Sequence, residues 1–428
     1  MTRKTKIIAT LGPSCSSAKI IEEMMISGVD VFRINFSHAN HSEIEKIIST
    51  IRSLNKKNNL YTSILADLQG PKLRIGNMDE NVNINKGDVV EFCSEKKFIG
   101  NNKKVYVKYK RLAKDVKIGE KLLIDDGKLI LEILETDNLH NVKARVVQGG
   151  ALLSKKGINL PNTKISLPAL TTKDYEDAIF SINQKVDWLA LSFVRNENDI
   201  IELKKIIYEK SNHKIPIISK IEKPEALKNI DEIISNSDGI MVARGDLGVE
   251  VSAARVPLIQ KQLVRKAKKA RIPVIIATQM MEGMIKSLTP TRAEVNDVAN
   301  SVMDGTDAVM LSGETSVGDY PVKVVDKMSS IIKTVENSPL IKVPQSPPSV
   351  RSKRYITKSI CYHAANMSNE IDATAICTLT NSGYTAFQIS AWRPKANILV
   401  FTSNELILTQ LNLLWGVKAF YYDRFEST

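Results

Sequence analysis

Eight short apolar runs recur along the chain, and the stretches between them have the spacing of amphipathic helices. Most of these runs are nearly continuous in hydrophobicity, which is typical of strands buried on both faces of a parallel sheet. Eight strand–helix units in succession predict a TIM barrel, the closed (β/α)8 arrangement of the α/β class. The runs span residues 6–11, 29–36, 61–68, 186–194, 215–221, 239–244, 272–278 and 307–311.

The third interval between these runs is much longer than the others, and its length predicts an inserted domain. Over residues 72–165, short alternating segments such as VYVKYK and KLILEIL are separated by Gly, Asn and Asp turns, as in a small antiparallel β domain. Further on, the polar stretch IKVPQSPPSVRSK predicts a linker. We expect a discontinuous barrel domain of residues 1–70 and 169–342, an inserted β-barrel domain of residues 71–168, and a C-terminal α/β domain of residues 350–428.

The formal net charge of +13 is compatible with two kinds of partner, a nucleic acid or an anionic substrate. The basic residues are spread over the whole chain rather than gathered in an arm or a stripe. Aromatic residues make up 6% of the chain, which leaves few platforms for stacking bases. We therefore favour an anionic substrate and expect no nucleic-acid partner.

The sequence lacks the patterns typical of membrane spans, signal peptides and cysteine-based metal sites. No run of about 18 apolar residues occurs, so we expect no membrane span. The apolar part of the N-terminal segment is too short for a signal peptide, which favours a cytoplasmic protein. Cys15, Cys93, Cys361 and Cys377 form neither a CxxC pair nor a zinc spacing, and we expect free thiols.

Polar and charged residues follow seven of the eight apolar runs. In a barrel of this kind the active site lies at the C-terminal ends of the strands, so these residues are expected to share one rim. Structural salt bridges explain one or two such positions more easily than seven, and we interpret the rim as functional. The segments are RINFSH (33–38), DLQGPKLR (67–74), SFVR (192–195), KIEK (220–223), RGDLG (244–248), TQM (278–280) and SGET (312–315).

The residue types at this rim indicate an anionic substrate and a divalent cation. Glu222 and Asp246 follow adjacent strands. Two carboxylates with open positions suit Mg²⁺, which keeps waters and substrate oxygens among its ligands. Arg33, Lys220 and Arg74 can neutralise a phosphorylated substrate. A lysine beside a metal-binding carboxylate can also stabilise charge on a transferring phosphoryl group or on an enolate.

Other chemistries are disfavoured by the same rim. It holds no cysteine and no activated serine triad, and we interpret His38 as a structural hydrogen-bonding residue in a turn. Neither GxxxxGK[ST] nor GxGxxG occurs, so a nucleotide would bind without a P-loop or a Rossmann turn. Gly245 would let a backbone N–H approach a substrate carboxylate closely. The residues alone predict a Mg²⁺-dependent barrel enzyme acting on a small, phosphorylated anion.

Five segments resemble the motifs of the pyruvate kinase family, and the likeness runs from residue 2 to residue 425. The stretches ISKIE and MVARGDLG together are highly specific. The resemblance implies a glycolytic kinase that uses Mg²⁺ or Mn²⁺ to transfer the phosphoryl group of phosphoenolpyruvate to ADP, giving pyruvate and ATP. The segments are TKIIATLGPSCSS, DVFRINFSHAN, ISKIEKPEAL, GIMVARGDLGVE and TPTRAEVNDVANSVMDGTDAVMLSGETSVGDYP.

The resemblance also implies roles for individual residues. Lys220 would stabilise the transition state, while Thr278 and Ser312 would deliver a proton to the enolate. The inserted domain would close over the site as a lid and exclude water. Phosphoenolpyruvate would be held by Arg33, Lys220, Gly245, Asp246 and Thr278, the divalent ion by Glu222 and Asp246, and the nucleotide by Arg74, Lys156 and His38.

One departure from the family pattern concerns the monovalent cation. The cation-pocket residues Asn35, Ser37 and Asp67 are present. Leu68 stands where potassium-requiring members have a threonine, and Lys72 stands where they have a glutamate. Because a lysine ammonium also places one positive charge near the phosphate, we expect Lys72 to replace K⁺ and activity not to require it. The alternative is a surface lysine without this role.

A second departure concerns the end of the chain. Residues 375–404 resemble the first half of the family's third domain, and TNSGYT resembles a phosphate-binding turn. The family pattern continues past the position of Thr428, so we expect this domain to be incomplete. Activation by a sugar phosphate and tetramer contacts through this domain are then not favoured, although a homo-oligomer is still expected.

Three other interpretations stay open at this point. Another enolate-forming barrel, such as a phosphoenolpyruvate mutase or an acidic-sugar aldolase, would not need the inserted lid or the pair Arg74 and Lys156. A catalytically impaired scaffold or regulator is suggested by the short last domain, but Lys220, Glu222 and Asp246 are all present. RNA binding rests on the positive charge alone, and binding lost at modest salt would mark it as nonspecific.

Overall fold

The structure is a computed structural model that describes residues 3–37, 40–161, 163–338, 347–350 and 352–424. The candidate residue His38 and the predicted domain boundary at residue 342 lie outside the described residues. The domain boundaries predicted from the sequence stay predictions. The chain starts with β1 (Lys6–Thr10), α1 (Ala18–Ser27), β2 (Val31–Asn35), α2 (His41–Asn58) and β3 (Ser63–Asp67).

Helix α2 shows how local sequence sets the bounds of an element. At its start, the side chain of Asn40 accepts a hydrogen bond from the backbone N–H of Glu43, which satisfies a donor that the helix leaves free. At its end, Asn59 adopts the left-handed conformation that an asparagine tolerates. Ile44, Ile48 and Ile51 lie one turn apart and are buried against the barrel.

The segment between β3 and α4 has its own sheet and its own hydrophobic core. Its six-stranded sheet has the order β11-β7-β8-β9-β5-β6, and β10 pairs with β4. Single bridges from Arg74 to Gly157 and from Ile75 to Val107 connect the two ends of the six-stranded sheet. The elements are β4 (Asn83–Ile84), β5 (Val89–Cys93), β6 (Lys104–Tyr106), α3 (Leu112–Asp115), β7 (Lys121–Ile124), β8 (Leu129–Thr136), β9 (Asn141–Gln148), β10 (Gly150–Ala151) and β11 (Ile158–Asn159).

One pairing in this inserted segment differs from the sequence-based expectation of an antiparallel domain. Strands β5 and β6 pair in parallel, whereas the other paired strands of the six-stranded sheet are antiparallel. Alternating apolar and polar residues indicate a half-buried strand, but the pattern is the same for either direction.

After the insertion the chain completes the barrel. Eight parallel strands close in the order β1-β16-β15-β14-β13-β12-β3-β2, and each of the eight predicted apolar runs contains one of them, so the predicted TIM barrel is confirmed. The elements are α4 (Thr172–Asn183), β12 (Trp188–Leu191), α5 (Glu197–Lys210), β13 (Ile217–Ile221), α6 (Pro224–Lys228), α7 (Ile230–Asn236), β14 (Gly239–Ala243), α8 (Arg244–Glu250), α9 (Val256–Ala270), β15 (Val274–Ala277), α10 (Arg292–Asp304), β16 (Ala308–Leu311), α11 (Gly313–Ser316) and α12 (Pro321–Glu336).

The last part of the chain forms a three-stranded parallel sheet that docks under the barrel. The Nζ of Lys6 donates to the carbonyl of Val417 over 2.9 Å, and the indole N–H of Trp188 donates to the carbonyl of Gln410 over 3.2 Å. The elements are α13 (Tyr355–Glu370), β17 (Ala375–Leu379), α14 (Tyr384–Ala391), β18 (Asn397–Thr402), α15 (Glu405–Gln410) and β19 (Val417–Tyr421), with the sheet order β17-β18-β19.

Two layers of apolar side chains hold the barrel together. The larger layer lies between the strands and the surrounding helices, and the smaller one fills the barrel interior, as alternation along each strand requires. Full burial of each large apolar side chain contributes about 1.5–3 kcal/mol. Leu413, from the C-terminal segment, belongs to the interior cluster, so the C-terminal part covers the N-terminal end of the barrel.

Two further expectations concern thiols and membranes. The four cysteines are free in the structure; Cys15, Cys93 and Cys361 are buried and Cys377 is exposed. Among the helices of the described residues, none has the length and apolar character needed to cross a membrane.

Gly12 follows β1 and passes close to α11, which makes it a test of the packing at the barrel rim. A Cβ at this position would lie 2.6 Å from both the Cβ and the carbonyl oxygen of Ser316. The backbone here is extended, with a φ of −173°, so close contact rather than torsion excludes a side chain. We expect Gly12→Ala to destabilise the protein by about 1–3 kcal/mol, measured as a lower thermal unfolding midpoint at one scan rate.

Gly248→Ala is the matched control for this prediction. Its added Cβ would meet the Cγ2 of Val256 at 3.6 Å, an ordinary contact, within a helix where alanine is favoured over glycine. An equal loss of stability in both variants, or no loss in Gly12→Ala, would contradict the steric explanation.

Candidate active site

The side chain of Lys220 lies at the centre of the rim. It projects from β13, is buried, and its Nζ lies 3.0 Å from Glu222 Oε1 and 3.2 Å from Asp67 Oδ1. The same Nζ donates to the Oγ of Ser192 over 2.7 Å. Burial opposes the charged form, but the carboxylates of Asp67 and Glu222 outweigh it and raise the pKa of Lys220 above its ordinary value. The side chain is therefore a fixed positive charge at neutral pH.

Asp67 connects this lysine to a second cation. Its Oδ2 accepts a hydrogen bond from the Nε of Arg33 over 2.7 Å, and the Nη1 of Arg33 donates to Thr10 Oγ1 over 3.1 Å. Burial alone would favour the neutral acid, yet Lys220 and Arg33 hold the pKa of Asp67 below its usual value. Strands β2 and β3 pair in parallel with Asn35 opposite Asp67, which brings these side chains to the same end of the barrel.

Glu222 and Asp246, the predicted metal ligands, come from neighbouring strand ends. Glu222 follows β13 directly, and Asp246 lies in the first turn of α8, after β14, rather than on a strand. Glu222 is buried, and its Oε2 accepts the backbone N–H of Phe193 over 2.7 Å. Burial raises the pKa of Glu222, and the nearby charge of Asp246 adds to this effect against the opposing charge of Lys220.

These carboxylates fit a divalent cation of the hard, oxygen-binding type. Within the described ranges, no group of three or more His, Cys, Asp and Glu side chains gathers in a metal-binding arrangement. A site with two protein carboxylates leaves the remaining positions to water and substrate, as Mg²⁺ prefers. A bound cation would also compensate the charge of Glu222, which burial otherwise disfavours.

Thr278 has a backbone conformation that is rare for a β-branched residue. Its φ is 72°, and that of the next residue, Gln279, is 53°. The backbone N–H of Gly245 donates to Thr278 Oγ1 over 2.7 Å, and the Nη2 of Arg244 donates to the Thr278 carbonyl over 2.7 Å. The Gly245 N–H that the sequence assigned to a substrate carboxylate thus bonds to Thr278 in this state.

Ser312 follows β16 and is held by a buried carboxylate. Its backbone N–H donates to Glu314 Oε2 over 2.6 Å, while Glu314 Oε1 accepts the backbone N–H of Met281 over 3.1 Å. Glu314 therefore connects the loops that follow β15 and β16, which carry Thr278 and Ser312.

The cations of the inserted segment have local partners in this structure. Arg74 Nη1 donates to the carbonyl of Lys155 over 3.0 Å, and the Nζ of Lys156 lies 2.9 Å from Asp125 Oδ1. Lys72 is different, because its Nζ lies 3.7 Å from Asp246 Oδ1 at the rim. The acidic partner of Lys72 is thus a predicted metal ligand, whereas Asp67 of the predicted cation pocket pairs with Arg33 and Lys220.

The inserted segment touches the barrel beside these residues. Asn159 Nδ2 donates to Glu250 Oε1 over 2.9 Å, and the same oxygen pairs with Lys223 Nζ at 2.7 Å. Arg195 Nη1 donates to the carbonyl of Ile165 over 2.9 Å. A cleft between the two parts is lined by residues of both, including Lys72 and Asp246.

The structure brings together most of the residues that the sequence singled out, and adds three. Arg33, Asp67, Lys220 and Glu222 form one hydrogen-bonded cluster. The added residues are Ser192, which accepts from Lys220, Thr10, which accepts from Arg33, and Glu314. Thr10 lies at the end of the first strand, and the search for polar residues after the other seven strands would have found it if applied there too. Ser192 and Glu314 belong to rim segments named in the sequence analysis, but no role was assigned to them.

Comparisons with known proteins show which family the whole chain resembles. A family model described as the pyruvate kinase barrel domain matches residues 2–325, and one described as the pyruvate kinase alpha/beta domain matches residues 358–428. The chain is 42% identical over 419 residues to the pyruvate kinase of Geobacillus stearothermophilus, covering 97% of this chain and 71% of that protein. It is also 42% identical over 421 residues to the pyruvate kinase of Corynebacterium glutamicum, covering 98% and 87%.

A solved structure is similar over almost the same extent. The crystal structure of a pyruvate kinase from Cryptosporidium parvum superposes with a TM-score of 0.91 at 36% sequence identity. The match covers 98% of this chain and 87% of that one.

The pairing of Asp67 with two cations predicts a specific pH dependence of stability. Because Lys220 and Arg33 keep the pKa of Asp67 low in the folded state, its ionised form contributes stability above the unfolded pKa of about 4, and this contribution is lost as the pH falls further. We expect Asp67→Asn to destabilise the protein by about 3 kcal/mol at neutral pH, because it leaves the buried Lys220 and the partly buried Arg33 with less negative charge.

Unfolding midpoints of wild type and variant, measured across the pH range, check this prediction. The difference between them should be full at neutral pH and shrink below about pH 4. Asp79→Asn, at an exposed carboxylate, is the control and should change stability by less than about 0.5 kcal/mol. A difference for Asp67→Asn that persists unchanged into acid would argue against an electrostatic origin.

Proposed function

The chain belongs to the pyruvate kinase family of phosphotransferases, and on this premise we propose that it transfers the phosphoryl group of phosphoenolpyruvate to ADP. The observation that carries the proposal is the buried ammonium of Lys220, which lies between the carboxylates of Asp67 and Glu222 and near Arg33 and Asp246. Phosphoryl transfer passes through a state with negative charge spread over several oxygens, and fixed cations in a water-poor site stabilise such a state.

The substrate is bound, in this proposal, by groups that the strand ends present together. Arg33 and Lys220 face the phosphate, while Gly245, Asp246 and Thr278 surround the rest of phosphoenolpyruvate. The N–H of Gly245 bonds to Thr278 Oγ1 in the present state and would turn to the substrate carboxylate on binding. Support comes from the retained hydrogen bonds of Asp67, which keep Arg33 and Lys220 in position before substrate arrives.

We assign Glu222 and Asp246 to the divalent cation, Mg²⁺ or Mn²⁺. When bound, the cation supplies positive charge to the phosphate oxygens that these carboxylates and Lys220 surround. The carboxylate of Glu222 must be ionised to act as a ligand, and Lys220 favours that form at 3.0 Å. The backbone N–H of Phe193 fixes the second oxygen of Glu222, so the carboxylate is oriented in advance.

Thr278 and Ser312 are assigned to the proton that completes the reaction. The bond between phosphorus and the enol oxygen breaks, a bond from phosphorus to a terminal oxygen of ADP forms, and the electron pair stays on the enolate. A proton from solvent must then reach the enolate carbon to give pyruvate. The hydroxyl of Thr278 is oriented by its bond to the carbonyl of Ala277 and by the N–H of Gly245.

The nucleotide phosphates are assigned to Arg74 and Lys156, with His38 as a further candidate. In the described state, Lys156 pairs with Asp125 and Arg74 with the carbonyl of Lys155. Movement of the inserted segment towards the rim would exchange these local partners for ADP and exclude water. We also propose a cytoplasmic location and a homo-oligomeric assembly, on family resemblance alone.

We further propose that Lys72 replaces a monovalent cation. Its ammonium lies 3.7 Å from Asp246, so it already places a positive charge beside the metal and substrate ligands. Asn35, Ser37 and Asp67 would then serve other contacts, such as the bond from the Ser37 N–H to Asn35 Oδ1 and the pairing of Asp67 with Arg33.

A coupled assay for pyruvate formation tests both proposals. With phosphoenolpyruvate, ADP and Mg²⁺, we expect activity that is equal with and without K⁺, and Lys72→Met should make activity depend on K⁺. Activity without K⁺ below roughly a tenth of that with K⁺ would remove the role of Lys72 but keep the kinase. A folded sample that is inactive in both conditions would overturn the proposed reaction and favour a non-catalytic role.

Lys220→Met tests the role of the central lysine. Because this interaction is made mainly in the transition state, we expect kcat to fall by at least about 10³-fold while KM changes much less. Lys228→Met, an exposed lysine of the same segment, is the matched control and should leave kcat within about twofold. A drop of less than about tenfold for Lys220→Met would exclude the assigned role.

A further inference from the structure

A second concave site lies where the barrel meets the C-terminal part of the chain, and we call it the junction cleft. Its volume is about 700 Å³, within the range of small-molecule sites. It is formed by the C-terminal half of α9, the end of α10, residues 347–349 and 352, and parts of α13 and α14. Its lining is strongly basic, with the cations Lys261, Arg265, Lys268, Lys269, Arg271 and Lys358.

Most of these cations have no acidic partner. Among the described residues that line the junction cleft, one, Asp304, is acidic, and it pairs with Lys261 and accepts a hydrogen bond from Gln260. The remaining five cations of the lining form no salt bridge with any Asp or Glu in the described ranges. Asp307, just outside, is paired with Arg393 at 2.9 Å.

Three of the five cations, Lys268, Arg271 and Lys358, are partly buried. Burial and the nearby charge of Arg393 lower the pKa of Lys268 to about 8, so this ammonium is held at a cost in free energy at neutral pH. Arg271 packs its guanidinium over the ring of Trp392 at 4.0 Å, and its buried Nε has no hydrogen-bond partner in the structure. Burial also lowers the pKa of Arg271.

The C-terminal end of α9 explains part of the positive charge of the junction cleft, but not why cations from other elements gather there. Cations in the last turn of α9 interact favourably with the helix dipole, which accounts for Lys268 and Lys269. That explanation does not cover Lys358, which reaches the same concave surface from α13, or the stacking of the C-cap residue Arg271 on Trp392. Cations from two separate parts of the fold converge on one cleft.

We propose that the junction cleft binds a small, multiply charged anion that carries phosphate groups. Such a ligand supplies the negative charge that the lining lacks. Its charge would also favour the protonated form of Lys268. The cleft is separate from the rim, because Arg271 lies between the end of α9 and the start of β15, at the N-terminal ends of the strands. It is also separate from the TNSGYT turn, since Ala391 and Trp392 lie at the opposite end of α14.

Titration calorimetry with inorganic pyrophosphate tests this site in the full chain. EDTA is present, so that metal-dependent binding at the rim is suppressed. We expect one binding event in the wild type and at least tenfold weaker binding in the double variant Lys268→Gln, Lys358→Gln, which removes one cation from each side of the cleft. Lys204→Gln, an exposed lysine on α5, is the matched control and should bind within twofold of wild type.

Two further variants separate this site from the others. Lys220→Met alters the rim and Thr380→Ala alters the turn before α14, and both should bind pyrophosphate like the wild type. Loss of binding in either variant, equal binding in the cleft variant, or no binding to the wild type would overturn the proposal. A cleft variant that changes the oligomeric state and leaves pyrophosphate binding intact would instead mark the cleft as a contact between copies.

Unfolding measurements guard against a variant that fails to fold. Because Lys268 is a partly buried cation without an acidic partner, Lys268→Gln should unfold at the same or a higher temperature than wild type at neutral pH. Pyrophosphate should raise the unfolding midpoint of the wild type but not that of the cleft variant. A rise of equal size in both would place the bound anion elsewhere and contradict the proposal.

Discussion

The carboxylate of Asp67, buried between Arg33 and Lys220, is the interaction on which the catalytic end of the barrel depends. Arg33 and Lys220 project from β2 and β13 towards the same end of the barrel, and two cations would repel each other there without a counter-charge between them. One carboxylate with both oxygens occupied satisfies both cations. These contacts hold Arg33 and Lys220 at the rim before any ligand binds.

A large part of this arrangement follows from the sequence, because parallel strands in a closed barrel must all end at the same rim. Continuous apolar runs located the eight strands, and the residues after them located Glu222 and Asp246. The partners of long side chains were harder to predict. Lys156 pairs with Asp125 and Lys72 with Asp246, and such choices depend on turns of the inserted segment that bring distant residues together. The parallel pairing of β5 with β6 was missed because alternation carries no information on direction.

The two ends of the barrel have contrasting chemistry. At the rim, cations and carboxylates neutralise one another within a few ångströms, so the charge is balanced before any ligand binds. At the junction cleft, on the opposite end, cations accumulate with a single paired acid among the described lining residues. The balanced charges of the rim orient side chains for chemistry. The junction cleft instead carries an excess of positive charge at the contact between the barrel and the C-terminal part of the chain.

The N-terminal end of the barrel is completed by residues of the C-terminal part of the chain, and this limits how the protein can evolve. Leu413 completes the interior cluster, Trp188 donates to Gln410, and Lys6 donates to Val417. Both acceptors are backbone carbonyls, so a barrel joined by recombination to the last domain of a distant relative would keep these bonds only if that backbone followed the same path. Exchange of modules by gene fusion is therefore constrained, and the two parts are expected to change together, as one inherited unit.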